Sequence, residues 1–357
     1  MARRRSDALL DSLAAVAPGK PLREGLDRIL QSKMGALIVV GDGPDVLNIC
    51  SGGFLLDAAF SPQRLSELAK MDGAIILAPD ATRIARANVH LVPNPNVPTS
   101  ETGTRHRTAE RVARSIPVPV ISVSEDMAII ACYVGGEKHS LESIPRLLDR
   151  ANQALQTLER YKNRLDEVSS ALSELEVEDI VSLRDVVVVL QRTEMVVRIA
   201  DEIDEYIIEL GADGRLLRLQ LEEVLGGVGD ERLLVVRDYF HEATDRSLGD
   251  AVADLAALDS DQLLDLKAVA AVLGLPHGAG DLDFGLQPRG YRLLSRIPRI
   301  PDGVIDHLID HFGTLSEIMR ATISELDEVE GVGHTRAKSI KEGLSKLAES
   351  SILDRYS

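Results

Sequence analysis

Met71-Asp72-Gly73-Ala74-Ile75-Ile76-Leu77-Ala78 sets a carboxylate and a glycine directly before five apolar residues. So short an apolar run, bounded by turn-forming residues, reads as a buried strand rather than a helix. Ala36-Leu37-Ile38-Val39-Val40, Val118 to Val123 and Ala128 to Val134 have the same character. Leu22 to Leu30, Pro62 to Met71 and Thr108 to Ser115 read as helices between them. Strands that are apolar throughout, not alternating, belong to a sheet covered on both faces. Residues 1–148 are therefore read as an α/β domain, a mixed sheet flanked by helices, with Gly41-Asp42-Gly43-Pro44 turning the chain after its first strand.

The second dense stretch is Gly103-Thr104-Arg105-His106-Arg107-Thr108. It combines three potential cations with two hydroxyls. Ala109, Val112, Ala113 and Ile116 follow at helical spacing, which predicts that the cluster lies at a helix N-terminus. Unpaired amides and the positive end of the helix dipole favour phosphate there, and guanidinium groups suit phosphate oxygens. The preceding Val92-Pro93-Asn94-Pro95-Asn96-Val97-Pro98 cannot be helix interior and reads as a stiff loop. No GxxxxGK[ST] occurs, so a P-loop is excluded. A carboxylate that can hold a divalent metal, a glycine that admits close approach and this phosphate-binding cluster together suit chemistry on a nucleoside triphosphate.

The net charge of −17 conceals an uneven distribution. Residues 1–148 carry 17 Lys/Arg against 16 Asp/Glu, residues 149–285 carry 13 against 30, and residues 286–357 carry 10 against 11. The acid is concentrated in the middle, which should repel nucleic acid, so any DNA contact must come from a local patch in an end domain. No apolar run of about twenty residues predicts a transmembrane helix. The start, Met1-Ala2-Arg3-Arg4-Arg5-Ser6, is basic without a signal-peptide core behind it. Cys50 and Cys132 fall in apolar contexts without metal-ligand spacing, which suits free thiols in a reducing cytoplasm.

From about residue 143, Leu148, Ala151, Leu155, Leu158, Leu165, Val168, Leu172 and Leu175 describe a long amphipathic helix, interrupted at Lys162. Further helical patterns cover 179–210, 215–225, 230–241 and 247–273, separated by Gly211, Gly226-Gly227 and Gly274. Residues 149–285 thus form an all-α spacer with no constellation suited to chemistry. Residues 286–357 hold an all-α segment in which Leu326 to Ile340 fits a helix-hairpin-helix pattern around Gly331-Val332-Gly333. Its glycines and the following helix N-terminus can face a phosphate, with Lys338 and Lys341 adding charge. Such contacts grip the backbone and carry no sequence information directly. Ser295 to Ile305 resembles a degenerate first copy, in which Arg296 and Arg299 could reach phosphate.

The Asp72-Gly73-Ala74 and Arg105-His106-Arg107 motifs resemble those of the diadenylate cyclase (DAC) domain family, and the three-part chain is similar throughout to the bacterial DNA integrity scanning family. The resemblance implies condensation of two ATP into cyclic di-AMP, with DNA binding by the tail. It implies that Asp72 binds Mg2+ or Mn2+ and activates the ribose 3′-OH. By the same resemblance Gly73, Leu91, Thr104, Arg105, His106, Arg107 and Thr108 contact ATP, and Gly331, Gly333, Lys338 and Lys341 contact branched or duplex DNA. Ser122-Val123-Ser124-Glu125 also resembles a segment near that site, which makes Glu125 a candidate second metal ligand. A homo-octamer with face-to-face cyclase domains is implied as well. Two rival readings are a non-catalytic nucleotide-sensing DNA-repair scaffold and a nuclease; the latter lacks the clustered acids of a two-metal site.

Overall fold

The computed structural model describes residues 5–125, 127–241, 246–275 and 281–354, with side chains to Glu349. The basic Arg3 and Arg4 lie outside the described residues. The chain packs as two compact units, one running up to Ala154 with Glu202–Gln220 added, the other combining Leu155–Asp201 with Leu221 onward.

In the first unit the order is α1 (Asp7–Ala15), α2 (Pro21–Gln31), β1 (Ala36–Val40), α3 (Pro44–Asn48), β2 (Cys50–Ser51), β3 (Phe54–Ala59), α4 (Pro62–Leu68), β4 (Ala74–Leu77), β5 (Arg83–Leu91), α5 (Thr104–Ser115), β6 (Val120–Val123), β7 (Ile130–Val134) and β8 (Glu137–Ser140). The sheet runs β2-β5-β4-β1-β6-β7-β8, with β3 also pairing β5. β1 and β4 are parallel and β1 and β6 antiparallel, so the sheet is mixed. Successive residues of β1 point to opposite faces, and each face has its own core. Ile38 and Val40 pack with Leu13, Leu26 and Leu65 from α1, α2 and α4. Leu37 and Val39 pack with Val46 of α3 and with Ala109, Val112 and Ala113 of α5.

Several elements differ from expectation. The helix expected to reach Met71 ends at Leu68, which frees the Asp72 segment to turn into β4. The helix expected from Thr108 begins at Thr104, with Gly103 in extended conformation at its cap. β3, the first half of β5 and β8 were not legible in the sequence; β3 is an edge strand whose Phe54, Leu55 and Leu56 stay exposed.

α6 (Ile144–Glu178), β9 (Val181–Ser182) and α7 (Leu183–Leu210) follow, and α6 continues unbroken through Lys162, whose ammonium pairs with Asp166. After a short 3-10 turn come α8 (Arg215–Leu225), α9 (Val228–Tyr239), α10 (Leu248–Ala257), α11 (Ser260–Leu264) and α12 (Leu266–Val272). The single pattern expected over 247–273 is therefore three helices, divided where Asp259 and Asp265 cap new N-termini. β10 (Gly285–Leu286) pairs β9. α13 (Tyr291–Ser295), α14 (Asp302–Phe312), α15 (Leu315–Arg320), α16 (Ile323–Asp327) and α17 (His334–Asp354) enclose an aliphatic core including Leu294, Leu308, Leu326, Ala337 and Ile340.

The second unit also buries a charged cluster. Arg292 is fully buried, and its guanidinium meets Glu176 at 3.0 Å, Ser173 Oγ at 2.7 Å, the Ser169 carbonyl at 3.0 Å and the Glu231 carboxylate. Asp238 accepts the amides of Gly290, Tyr291 and Arg292 at 2.7–2.8 Å, capping α13. This cluster, in which Glu176, Glu231 and Asp238 of the helical middle meet Arg292 at the start of the tail, was not anticipated. Every donor of Arg292 is matched, as a buried charge requires.

Candidate functional site

β1 and β4 run parallel, so their N-terminal ends share one edge of the sheet. Ala36 pairs with Val123 and Ala74 with Val89, which brings the ends of β6 and β5 to the same edge. Gly35, Asp72, Gly73 and the Ser124-Glu125 segment flank these strand ends, and the first turn of α5 reaches this edge. The Asp72 carboxylate is 98% exposed, and Arg105 Nη2 approaches it at 3.4 Å. Arg105 gets there by lying across Gly35: a Cβ on Gly35 would sit 2.1 Å from Arg105 Nη1. Two expected site residues, Asp72 and Arg105, are thus brought together, through a glycine that sequence reasoning passed over.

Gly73 has a packing reason of its own. A Cβ there would lie 2.5 Å from the backbone carbonyl carbon of Asn88, which itself has a φ of 53° at the irregular β4/β5 register. The close approach it permits is thus to β5. Leu91, expected to meet adenosine, is buried in the core beside α5. Thr104 and Arg107 are exposed and Thr108 half-buried, its hydroxyl donating to the Thr104 carbonyl at 2.9 Å. Glu125 is exposed.

The loop before α5 is tied down by the helix itself. Buried Glu110 accepts from Thr99 Oγ1 at 2.5 Å and from the Ser100 amide at 2.9 Å. Arg111 Nε donates to the Val97 carbonyl at 3.1 Å and Arg114 Nη1 to the Pro98 carbonyl at 2.8 Å. Burial raises the Glu110 carboxyl, but the hydrogen bonds from Thr99 and Ser100 and the Arg114 charge outweigh it and hold its pKa below the usual value. An ionised carboxylate therefore staples the stiff loop.

His106 is half-buried, with Nδ1 2.9 Å from the Tyr133 hydroxyl on β7. Tyr133 donates to Glu101 Oε1 at 3.2 Å, which Lys138 on β8 also meets at 2.6 Å. Burial lowers the His106 pKa, with Glu101 opposing that shift. Burial and Glu101 both raise that of Tyr133. The only sequence signal for this array is a lone tyrosine in an otherwise small and aliphatic strand.

In the tail, Gly331 has a φ of 81° between α16 and α17 and faces Val304 of α14, whereas a Cβ on Gly333 would meet nothing within 4 Å. Arg299 takes the matching left-handed conformation, φ 68°, between α13 and α14, so the degenerate first copy is a hairpin too. Lys338 is exposed and 3.7 Å from Glu342. Lys341 differs from expectation: its ammonium donates to the Met319 and Ala321 carbonyls at 2.6 and 2.7 Å, closing the end of α15. Arg296 likewise turns inward, to Ser173 at 2.9 Å and Glu231 at 3.6 Å.

Three family profiles match in order. Residues 23–138 match the DisA bacterial checkpoint controller nucleotide-binding region, residues 141–282 the DisA bacterial checkpoint controller linker region, and residues 291–346 a SAM-like helix-hairpin-helix tandem. The chain is 58% identical over 353 residues to the DNA integrity scanning protein DisA of Acidothermus cellulolyticus, covering 98% of this chain and 96% of that protein. It is 56% identical over 351 residues to the DisA of Frankia alni, covering 98% of each. It is 53% identical over 348 residues to that of Streptomyces coelicolor, covering 97% and 93%.

Proposed function

The chain belongs to the family of DNA integrity scanning proteins, and from that premise we infer that it is a diadenylate cyclase. It condenses two ATP into cyclic di-AMP with release of two pyrophosphates, and its helix-hairpin-helix tail binds DNA. The observation that carries the site reading is Arg105 laid across Gly35 toward Asp72, at the sheet edge reached by the N-terminus of α5. In each half-reaction a ribose 3′-OH attacks the α-phosphorus of the other ATP, a new P–O bond forms, and the bond to pyrophosphate breaks. Arg105, Arg107 and the first-turn amides of α5 offset the charge that grows on the phosphates, and Thr104 adds a hydrogen bond, as does Thr108 once its hydroxyl turns from the Thr104 carbonyl to phosphate.

Asp72 would hold Mg2+ or Mn2+. Among the described residues no three His, Cys, Asp or Glu cluster to hold a metal. One exposed carboxylate nevertheless suits Mg2+, which completes its shell with phosphate oxygens and water. Bound there, the cation would supply acidification of the 3′-OH and neutralisation of phosphate charge. Glu125, at the same edge, is the candidate second ligand.

One domain carries one set of these residues, whereas the product needs two ATP attacking each other. Two cyclase domains facing one another about a two-fold axis, within an octamer, meet that need. The exposed Phe54 and Leu55 of β3 support further association. The proposed location is the cytoplasm, in keeping with the free thiols Cys50 and Cys132; no described helix is long and apolar enough to cross a membrane.

The test is incubation of the purified chain with ATP and Mg2+ or Mn2+, with products read by mass spectrometry. Cyclic di-AMP is expected, and its absence with both cations overturns the reading. Asp72→Asn should abolish product while ATP binding stays measurable, because the triphosphate donors remain. Near-normal turnover in that variant would remove Asp72 from the chemistry.

A further inference from the structure

Within that reading, His106 is the one imidazole of the site, and the element facing it is β7 rather than its own helix. Tyr133 Oη lies 2.9 Å from His106 Nδ1. Glu101 Oε1 accepts a hydrogen bond from the Tyr133 hydroxyl at 3.2 Å, and the Lys138 ammonium pairs with the same oxygen at 2.6 Å. The directions along the chain are then fixed. An ionised carboxylate can only accept, so Tyr133 donates to it and has only lone pairs left for the imidazole. His106 must therefore carry its proton on Nδ1, which leaves Nε2 as the open nitrogen.

We propose that Tyr133 and Glu101 are positioning residues of the cyclase, which hold His106 in the Nδ1–H form and present Nε2 to the nucleotide. The ring centroids of His106 and Tyr133 are 6.3 Å apart with planes tilted by 55°, so the hydroxyl, not stacking, sets the ring's place. A neutral imidazole held this way offers Nε2 as an acceptor, and protonation turns it into a second donor to phosphate without moving the ring. The charged and titratable groups acting on it are Glu101, Lys138, Arg105 and Tyr133. The other tautomer would require Tyr133 to donate to Nδ1 and leave Glu101 without its hydroxyl partner. The array thus selects one nitrogen for function, as outer partners of functional histidines commonly do.

The inference rests on the assignment of His106 to the ATP site, and the experiment separates the two. The full-length protein is compared with His106→Ala, Tyr133→Phe, Glu101→Gln and Glu101→Ala, by steady-state kinetics and by 15N spectra of the labelled imidazoles. The His106 signal is identified by its loss in His106→Ala. The wild-type ring should show the Nδ1–H pattern. Tyr133→Phe should shift that pattern toward tautomer exchange and lower kcat by about ten- to a hundredfold, the range for loss of a residue that orients a functional imidazole. Its KM for ATP should change far less. Glu101→Gln keeps an acceptor for Tyr133 and should retain more activity than Glu101→Ala. If His106→Ala keeps full turnover, the site assignment itself fails. If His106→Ala is inactive while Tyr133→Phe keeps both its kcat and the Nδ1–H pattern, the positioning role is refuted.

Discussion

Gly35→Ala tests whether Arg105 must occupy the channel beside β1. The added Cβ would lie 2.1 Å from Nη1 and 2.9 Å from Cζ of Arg105, and 3.3 Å from the Val123 carbonyl oxygen. Ordinary contact begins near roughly 3.5 Å, so the guanidinium must retreat by more than about 1 Å. The atoms in the way are the end of a flexible side chain, which swings aside at little cost to the fold. What is lost is an ion pair at 3.4 Å between partners 41% and 98% exposed. Such a pair is worth about 0–1 kcal/mol, so the thermal midpoint should barely move. The functional loss is larger. A charge-assisted hydrogen bond to phosphate contributes about 1.5–3 kcal/mol, which at about 1.4 kcal/mol per tenfold is roughly ten- to a hundredfold in ATP affinity. Titration calorimetry with ATP, beside a thermal melt, reads both quantities. ATP affinity within twofold of wild type in a folded variant would refute the placement of Arg105 against phosphate. Gly73→Ala is the contrasting case: its Cβ would press on Asn88 backbone atoms at 2.5 and 2.6 Å, so melting should show about 1–3 kcal/mol of destabilisation.

Gly333→Val should cost stability only about 1 kcal/mol, from the poorer N-cap of α17, because a Cβ there meets nothing within 4 Å, yet weaken DNA binding at least about tenfold by blocking the approach of phosphate. Filter binding over a salt series reads this, and unaltered affinity would move the DNA contact elsewhere. Arg292→Ala should cost about 3–5 kcal/mol in urea unfolding, since it strands Glu176 and Glu231 without their buried partner; a loss under about 1 kcal/mol would show the cluster to be solvated. Burial raises the Glu209 carboxyl, but His139, the Glu142 amide and Arg5 outweigh it and hold its pKa below the usual value. A depressed carboxylate stabilises the fold above its unfolded pKa, about 4.3, and that contribution is lost as pH falls through the folded value. Glu209→Gln should therefore lose less stability than wild type between pH 7 and about pH 3, measured as urea midpoints; an equal loss would exclude this group.

The periodicity of apolar residues is a local property, and it located what local sequence controls. The continuous runs at Ala36–Val40 and Ala74–Leu77 became central strands, buried on both faces. The stripe at Ala109, Val112 and Ala113 became the inner face of α5, with the Arg-His-Arg cluster in its first turn. Gly331 was legible because a left-handed turn position favours a residue without Cβ. Register and side-chain destination depend on partners distant in sequence, and these only the folded chain decided. Sheet register brought Gly35 beside the reach of Arg105 and set Tyr133 against His106. Packing turned Lys341 and Arg296 inward to carbonyls, hydroxyls and a carboxylate, although their sequence context reads like that of Lys338, which stays at the surface. A cation's position in a motif fixes where its stem begins, and the nearest acceptor in three dimensions fixes where its charge ends.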